Sequence, residues 1–197
     1  MSIPGSGSPL LLATTAAAAA DAGYVIPKSL RFNDGDSAHL TKTFSSAGNR
    51  RTFTFSCWVK RGSSGIYPVL FSGYGGDTNN FHHLRFDNSD KLETRLKVGT
   101  TKLQLITDQV FRDFSSFYHI VFTYDSTQST SSNRAKLYVN GSQITDFSTE
   151  TYPDQNQESF ISNSAGHFIG QRGDSNLYFD GLMADVQFVD GLALAPT

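Results

Sequence analysis

Residues 117–141 read FYHIVFTYDSTQSTSSNRAKLYVNG, and the reading of this stretch decides the fold. Apolar residues recur at every second position, the period of a strand with one buried face. Tyr118, Ile120, Phe122 and Tyr124 share one face of the first run. In the second run Ala135, Leu137 and Val139 point inward, with Lys136 and Tyr138 outward. Turn-forming residues at Ser126–Asn133 separate the two runs. Asn140-Gly141 follows the second run at once. A two-residue turn needs positive φ at both positions, which Asn and Gly tolerate, so this pair predicts a hairpin tip.

The same period extends outward. Thr52–Val59, TFTFSCWV, puts Phe53, Phe55, Cys57 and Val59 on one face. Near the end, LMADVQFV puts Leu182, Ala184, Val186 and Phe188 on one side. Shorter predicted strands are Leu30–Phe32, Tyr67–Ser72, His83–Phe86, Leu92–Val98, Leu103–Thr107 and His167–Gly170. Turns are predicted at Gly62–Gly65, Gly73–Asn80, Asp87–Asp90 and Gly173–Asn176. Helical readings are confined to an N-terminal alanine run and Thr107–Phe111. Many short strands with frequent turns predict an all-β, antiparallel two-sheet sandwich or jelly roll.

The 197 residues suffice for one domain with a short extension. A formal net charge of −2 argues against a nucleic-acid surface, which needs a basic stripe. No apolar run reaches the roughly 18–20 residues of a membrane span. Cys57 is the only cysteine, so no intrachain disulfide forms.

The N-terminus, MSIPGSGSPLLLATTAAAAADAG, allows two readings. Leu10–Ala20 suits the apolar core of a cleavable signal, but no Lys or Arg precedes Lys28. In the second reading the segment is retained, and Thr14 or Thr15 caps a short helix through Asp21 that stops at Gly23. So short a helix is marginal alone in water, so Leu10, Leu11, Leu12, Ala16 and Ala19 are expected to pack against a partner. The division is then an attachment segment, 1–28, and a sandwich, 29–197. Thr197 follows the last predicted strand with no polar tail, which leaves the C-terminal end of the chain open.

Five segments in order carry a family resemblance: SLRFNDGDSAHL (29–40), FTFSCWVKRG (53–62), FYHIVFTYD (117–125), AKLYVNGSQI (135–144) and HFIGQRGDSNLYFDGLMADVQFVDGLAL (167–194). Together they resemble a laminin-G-type, concanavalin A-like domain, which implies a jelly roll over Ser29–Leu194. A Trp-x-x-His strand often stands in that family where this chain has Phe117-Tyr118-His119, so the tryptophan is missing here. A narrower resemblance is to virion proteins of tailed, notably marine, phages. It rests on Pro9–Leu12, Ser29–Asn33, Asp36–Leu40 and Ser45–Gly62. That resemblance implies a head or tail appendage or fibre on the virion, joined to other virion proteins through the N-terminal segment. It also implies a homo-oligomer that displays a receptor- or carbohydrate-binding domain. A secreted carbohydrate-binding module with a cleaved signal is the alternative.

No catalytic constellation is legible. Glucanases of the concanavalin A-like type carry a Glu-x-Asp-x-x-Glu strand, because two carboxylates must flank the glycosidic bond. Here Glu93, Glu150 and Glu158 are scattered, none with Asp two positions on. The chain is therefore expected not to be an enzyme; a glycosidase with an unrecognised site is the third reading. His39, His82, His83, His119 and His167 are expected at the surface or in loops. No cofactor is expected, but the resemblance leaves calcium open at the sandwich rim, with Asp77, Asp125, Asp174 and Asp180 as loop carboxylates. Those residues serve equally well in turns.

Sugar binding needs exposed aromatics for stacking and polar partners for hydroxyls. The expected loop SGYGGDTNNFHH supplies Tyr74, Asp77, Asn79 and Asn80, and RGDSN supplies Arg172, Asp174 and Asn176. An ordinary polar loop is the competing reading.

Overall fold

The computed structural model describes residues 26–196. The expected N-terminal helix, and Leu10, Leu11, Leu12, Ala16 and Ala19 with it, lie outside the described residues. Thirteen strands are described: β1 (Leu30–Phe32), β2 (Leu40–Thr43), β3 (Thr52–Arg61), β4 (Val69–Asp77), β5 (Asn80–Phe86), β6 (Lys91–Val98), β7 (Thr100–Val110), β8 (Tyr118–Asp125), β9 (Ala135–Val139), β10 (Ser142–Gln143), β11 (Phe147–Thr151), β12 (Gly166–Ile169) and β13 (Gly181–Asp190). They form a six-stranded sheet, β1-β13-β3-β8-β9-β10, and a seven-stranded sheet, β11-β7-β6-β5-β4-β12-β2. Neighbouring strands pair antiparallel throughout, as the short alternating runs predict. No described helix is long and apolar enough to cross a membrane.

The core lies between the inner faces of the two sheets. Phe53, Phe55, Cys57 and Val59 of β3, with Ile120, Phe122 and Tyr124 of β8, face Leu84, Phe86, Leu92, Leu96, Leu103 and Leu105. The Phe55 ring stacks on Phe71 of the opposite sheet at 4.5 Å. Burial pushes the Cys57 thiol up to about 12, which leaves it inert.

The structure corrects four sequence expectations. Thr107–Val110 belongs to β7 and not to a helix. Gly73–Asp77 continues β4, so the expected Gly73–Asn80 loop shrinks to a hairpin tip at residues 78–79. In β13 the register shifts between Ala184 and Gln187, with Asp185 at φ +46. This bulge changes the facing of the strand partway along. Met183 is therefore the core residue before it, and Val186 and Phe188 after it, whereas Leu182 and Ala184 do not join the core. The fourth correction concerns the histidines: His82, His83 and His167 are buried, and His82 and His83 lie within β5.

His82 points inward among Phe53, Phe122 and Tyr124. Its Nδ1 is 2.7 Å from Ser159 Oγ and its Nε2 3.2 Å from Thr94 Oγ1. Burial lowers its pKa from 6.5 to about 3. Above pH ~6.5 neither the folded nor the unfolded chain protonates it, and stability is intact. Below that value the unfolded chain takes up a proton that the folded chain refuses, so stability falls progressively toward pH ~3. Urea denaturation from pH 7 to 4 is expected to show this loss, with a shallower pH slope in His82→Gln. Equal slopes would contradict the assignment.

Asn140 and Gly141 take φ +50 and +82 between β9 and β10, the hairpin tip that the sequence predicts. Asn140 Oδ1 accepts the His119 backbone N–H at 2.8 Å, which ties the tip to β8. A Cβ on Gly141 would meet nothing within 4 Å, so the cost of a side chain there is purely conformational. Gly141→Val is expected to cost about 1–3 kcal/mol. An unchanged melting temperature would count against the turn.

Candidate functional site

Because His82, Leu84 and Phe86 point into the core, Phe81, His83 and Arg85 must point out of the seven-stranded sheet. Cross-strand pairing lays these residues out as rows. Tyr74, Phe81 and Lys97 form one row; Ser72, His83, Arg95 and Gln104 the next; Arg85 and Glu93 a third.

The segment after β12 folds back over this face. Ser72 Oγ donates to the Gln171 carbonyl at 2.8 Å, and the Val69 N–H donates to the Leu177 carbonyl at 3.2 Å. The Arg172 guanidinium stands 5.4 Å over the Phe81 ring and pairs with Asp174, its Nε 3.1 Å from each carboxylate oxygen. Gly173 has φ +104, and a Cβ there would sit 2.7 Å from Tyr74 Cβ, so only glycine lets the segment approach so closely.

The structure therefore brings Tyr74, Arg172 and Asp174 together. Burial, then the Asp174 charge, raises the pKa of the Tyr74 hydroxyl. Asp77, Asn79 and Asn80 stand at the adjoining β4–β5 tip. Asp77 accepts from the Asn79 N–H at 2.6 Å and from Asn80 Nδ2 at 2.8 Å, and these bonds hold its carboxylate below the usual range. Asn79 Oδ1 accepts from Lys97 Nζ at 2.8 Å. Asn176 is exposed, and its Nδ2 is 3.4 Å from the Asp174 carbonyl.

The sequence reading missed Phe81, His83, Arg85, Arg95 and Lys97 on this face. For the β6 residues a signal was present, since Glu93, Arg95 and Lys97 stand at every second position of KLETRLKV, with Leu92, Thr94, Leu96 and Val98 on the other face. It also missed a groove of about 800 Å³ on the outer face of the other sheet, lined by Trp58, Phe117, His119, Asn140 and Gln187. There Trp58 pairs directly with His119 and stacks on its ring at 4.8 Å.

A family profile described as the concanavalin A-like lectin/glucanases superfamily matches residues 18–196. The chain belongs to this superfamily. No curated protein sequence matches it significantly. Its fold is similar to Ruminococcus gnavus IT-sialidase CBM40 bound to alpha2,3 sialyllactose (17% identity, 82% of this chain, 94% of that one, TM-score 0.54). It is also similar to domains LG4-5 of the mouse laminin alpha1 chain (12% identity, 87% and 44%, TM-score 0.57). A third similar structure is domain 4 of AbnA, a GH43 extracellular arabinanase from Geobacillus stearothermophilus, in complex with arabinotriose (16% identity, 74% and 64%, TM-score 0.51).

In this concanavalin A-like domain each of the three glutamates has hydrogen-bond or ion-pair partners within the chain. Glu93 is buried and accepts from Arg85, Arg95 and Gln104. Glu150 accepts from the Tyr152 hydroxyl, and Glu158 pairs with Arg50 and Arg51. Of the rim carboxylates, Asp125 accepts from Thr127 and Gln128, and Asp180 pairs with Arg31. Among the described residues no three His, Cys, Asp or Glu side chains gather as a metal-binding group.

Proposed function

We propose that this protein is a non-enzymatic glycan-binding domain that a phage virion displays, held to other virion proteins through residues 1–28. One observation carries the glycan reading: the segment after β12 seats Arg172 and Asp174 against Tyr74, beside the amides of Asn79 and Asn80. An aromatic ring with hydrogen-bonding side chains at its edge is the chemistry that holds a sugar ring and its hydroxyls. The sugar-bound structures of similar fold support the same reading. The virion reading is supported by the resemblance of Pro9–Leu12, Ser29–Asn33, Asp36–Leu40 and Ser45–Gly62 to tailed-phage proteins. Many copies on one particle turn weak single contacts into firm adhesion.

A glycan microarray probed with the full chain tests the first part. Binding is expected, and Tyr74→Ala is expected to weaken it about tenfold, the equivalent of about 1.4 kcal/mol of lost stacking. Equal binding by the variant would remove Tyr74 from the site. Mass spectrometry tests the second part. Peptides from residues 1–20 in purified particles support attachment, whereas a mature chain beginning near Asp21 makes the protein a secreted module instead.

A further inference from the structure

His83 is 1% exposed, and neither of its ring nitrogens has a hydrogen-bond partner. Its direct cross-strand neighbour Arg95 has a buried Nε that is likewise unpartnered. A buried polar atom left unpaired is costly, so the adjacent Nε–H of Arg95 and ring N–H of His83 call for a common acceptor. Three guanidiniums, those of Arg85, Arg95 and Arg172, lie close enough to His83 to disfavour its protonation, after burial itself. Arg85 and Arg95 share a single carboxylate, Glu93. Arg95 keeps 29% of its side chain exposed and Arg172 18%, so both reach the surface of the same face. Lys97 stands in the next row, bonded to a neutral amide. A water molecule would satisfy His83 but would leave the cation that Glu93 does not neutralise.

We propose that the outer face of the seven-stranded sheet holds an oxyanion subsite on Arg95, Arg172 and Lys97 above His83, and that its ligand is an acidic glycan bearing carboxylate or sulfate groups. The proposal rests on the reading of this face as a glycan site. An anionic oxygen takes bonds from guanidinium N–H groups and from the N–H of a neutral imidazole, and these charge-assisted bonds are the strong ones. Asp174 holds Arg172 in place over Phe81. The hydroxyls of the sugar that bears the anion then fall to Tyr74, Asn79 and Asn80.

Isothermal titration of the full chain with three hexasaccharides tests this: an oligogalacturonate, a sulfated carrageenan fragment and a neutral xylo-oligosaccharide. One acidic probe is expected to bind at least about tenfold more tightly than the neutral one. Its affinity should fall between 50 and 300 mM NaCl, because ionic contacts are screened. The preference between the first two probes tells carboxylate from sulfate. Arg95→Gln and, as a surface variant that leaves the buried cluster intact, Lys97→Ala should each weaken acidic binding with the melting transition in place. Equal binding of neutral and acidic probes would overturn the oxyanion subsite and leave the glycan reading standing. Acidic binding that both variants retain would move the subsite elsewhere and so overturn it. Failure of all three probes, together with an empty array, would overturn both.

Discussion

Asp90→Ala is expected to destabilise the protein by about 3–5 kcal/mol, because it leaves a buried guanidinium without its counter-ion. Arg61, whose side chain is 1% exposed, closes one end of the core. It reaches Asp90 Oδ1 at 2.7 Å, donates to the Phe111 and Ser63 carbonyls, and lies 4.4 Å over the Phe86 ring. Arg112 Nε binds the other Asp90 oxygen at 2.9 Å. Burial pushes the Asp90 pKa up, but the bonds from Arg61 and Arg112 outweigh it and the net shift is downward. Its stabilisation is therefore present above the ordinary carboxylate range and is lost as pH falls through the lowered folded value. Asp90 sits at φ +65, a conformation that Asn tolerates and Ala does not. Asp90→Asn thus isolates the lost charge and should retain most of the effect. Urea denaturation at pH 7 measures both, and a loss under 1 kcal/mol in each would contradict this account of Arg61.

The second large effect is expected at Phe53→Ala, about 3–5 kcal/mol from lost burial and the cavity left behind. Phe53 is fully buried. Its ring stacks on Tyr124 at 5.2 Å and meets Phe122 at 5.9 Å, Phe188 at 5.8 Å and His82 at 6.0 Å. Three strands, β3, β8 and β13, and the opposite sheet thus all lose a contact at once. Thr52→Ala, next along β3 and half-exposed, is the control and should cost far less. Equal melting temperatures for the two variants would show that the β3 face is misassigned.

The strands that pack both sheets together were legible because their alternation is unbroken. In β8, in β9 and from Phe53 to Val59 in β3 every second residue is apolar and faces the core; only Arg61, at the end of β3, puts a charge in that row. In β13 the alternation misleads, since a left-handed Asp185 shifts the facing and nothing local announces it. β4 failed for another reason. Gly73, Gly75 and Gly76 look like turn residues, yet Gly73 is in mid-strand because the Phe160 backbone packs where its Cβ would stand. That constraint comes from residues 87 positions away and cannot be seen locally.

The site divides in the same way. Tyr74, Arg172 and Asp174 were picked by chemical type, and the fold places them together. Phe81 and His83 were hidden because their outward facing depends on the register of β5 with β4 and β6. The buried histidines were misread for the same reason: burial is a property of the sheet stack and not of the His-His pair. The N-terminal attachment residues Leu10, Leu11, Leu12, Ala16 and Ala19 lie outside the described residues.

The central claim, that the outer face of the seven-stranded sheet is the ligand face, is most directly tested by amide chemical-shift mapping. The isotope-labelled full chain is titrated with the tightest glycan from the array. The largest shifts are expected at Tyr74, Asn79, Asn80, Lys97 and residues 172–176. Shifts confined instead to Trp58, Phe117, His119 and Asn140, around the groove on the other sheet, would contradict the claim.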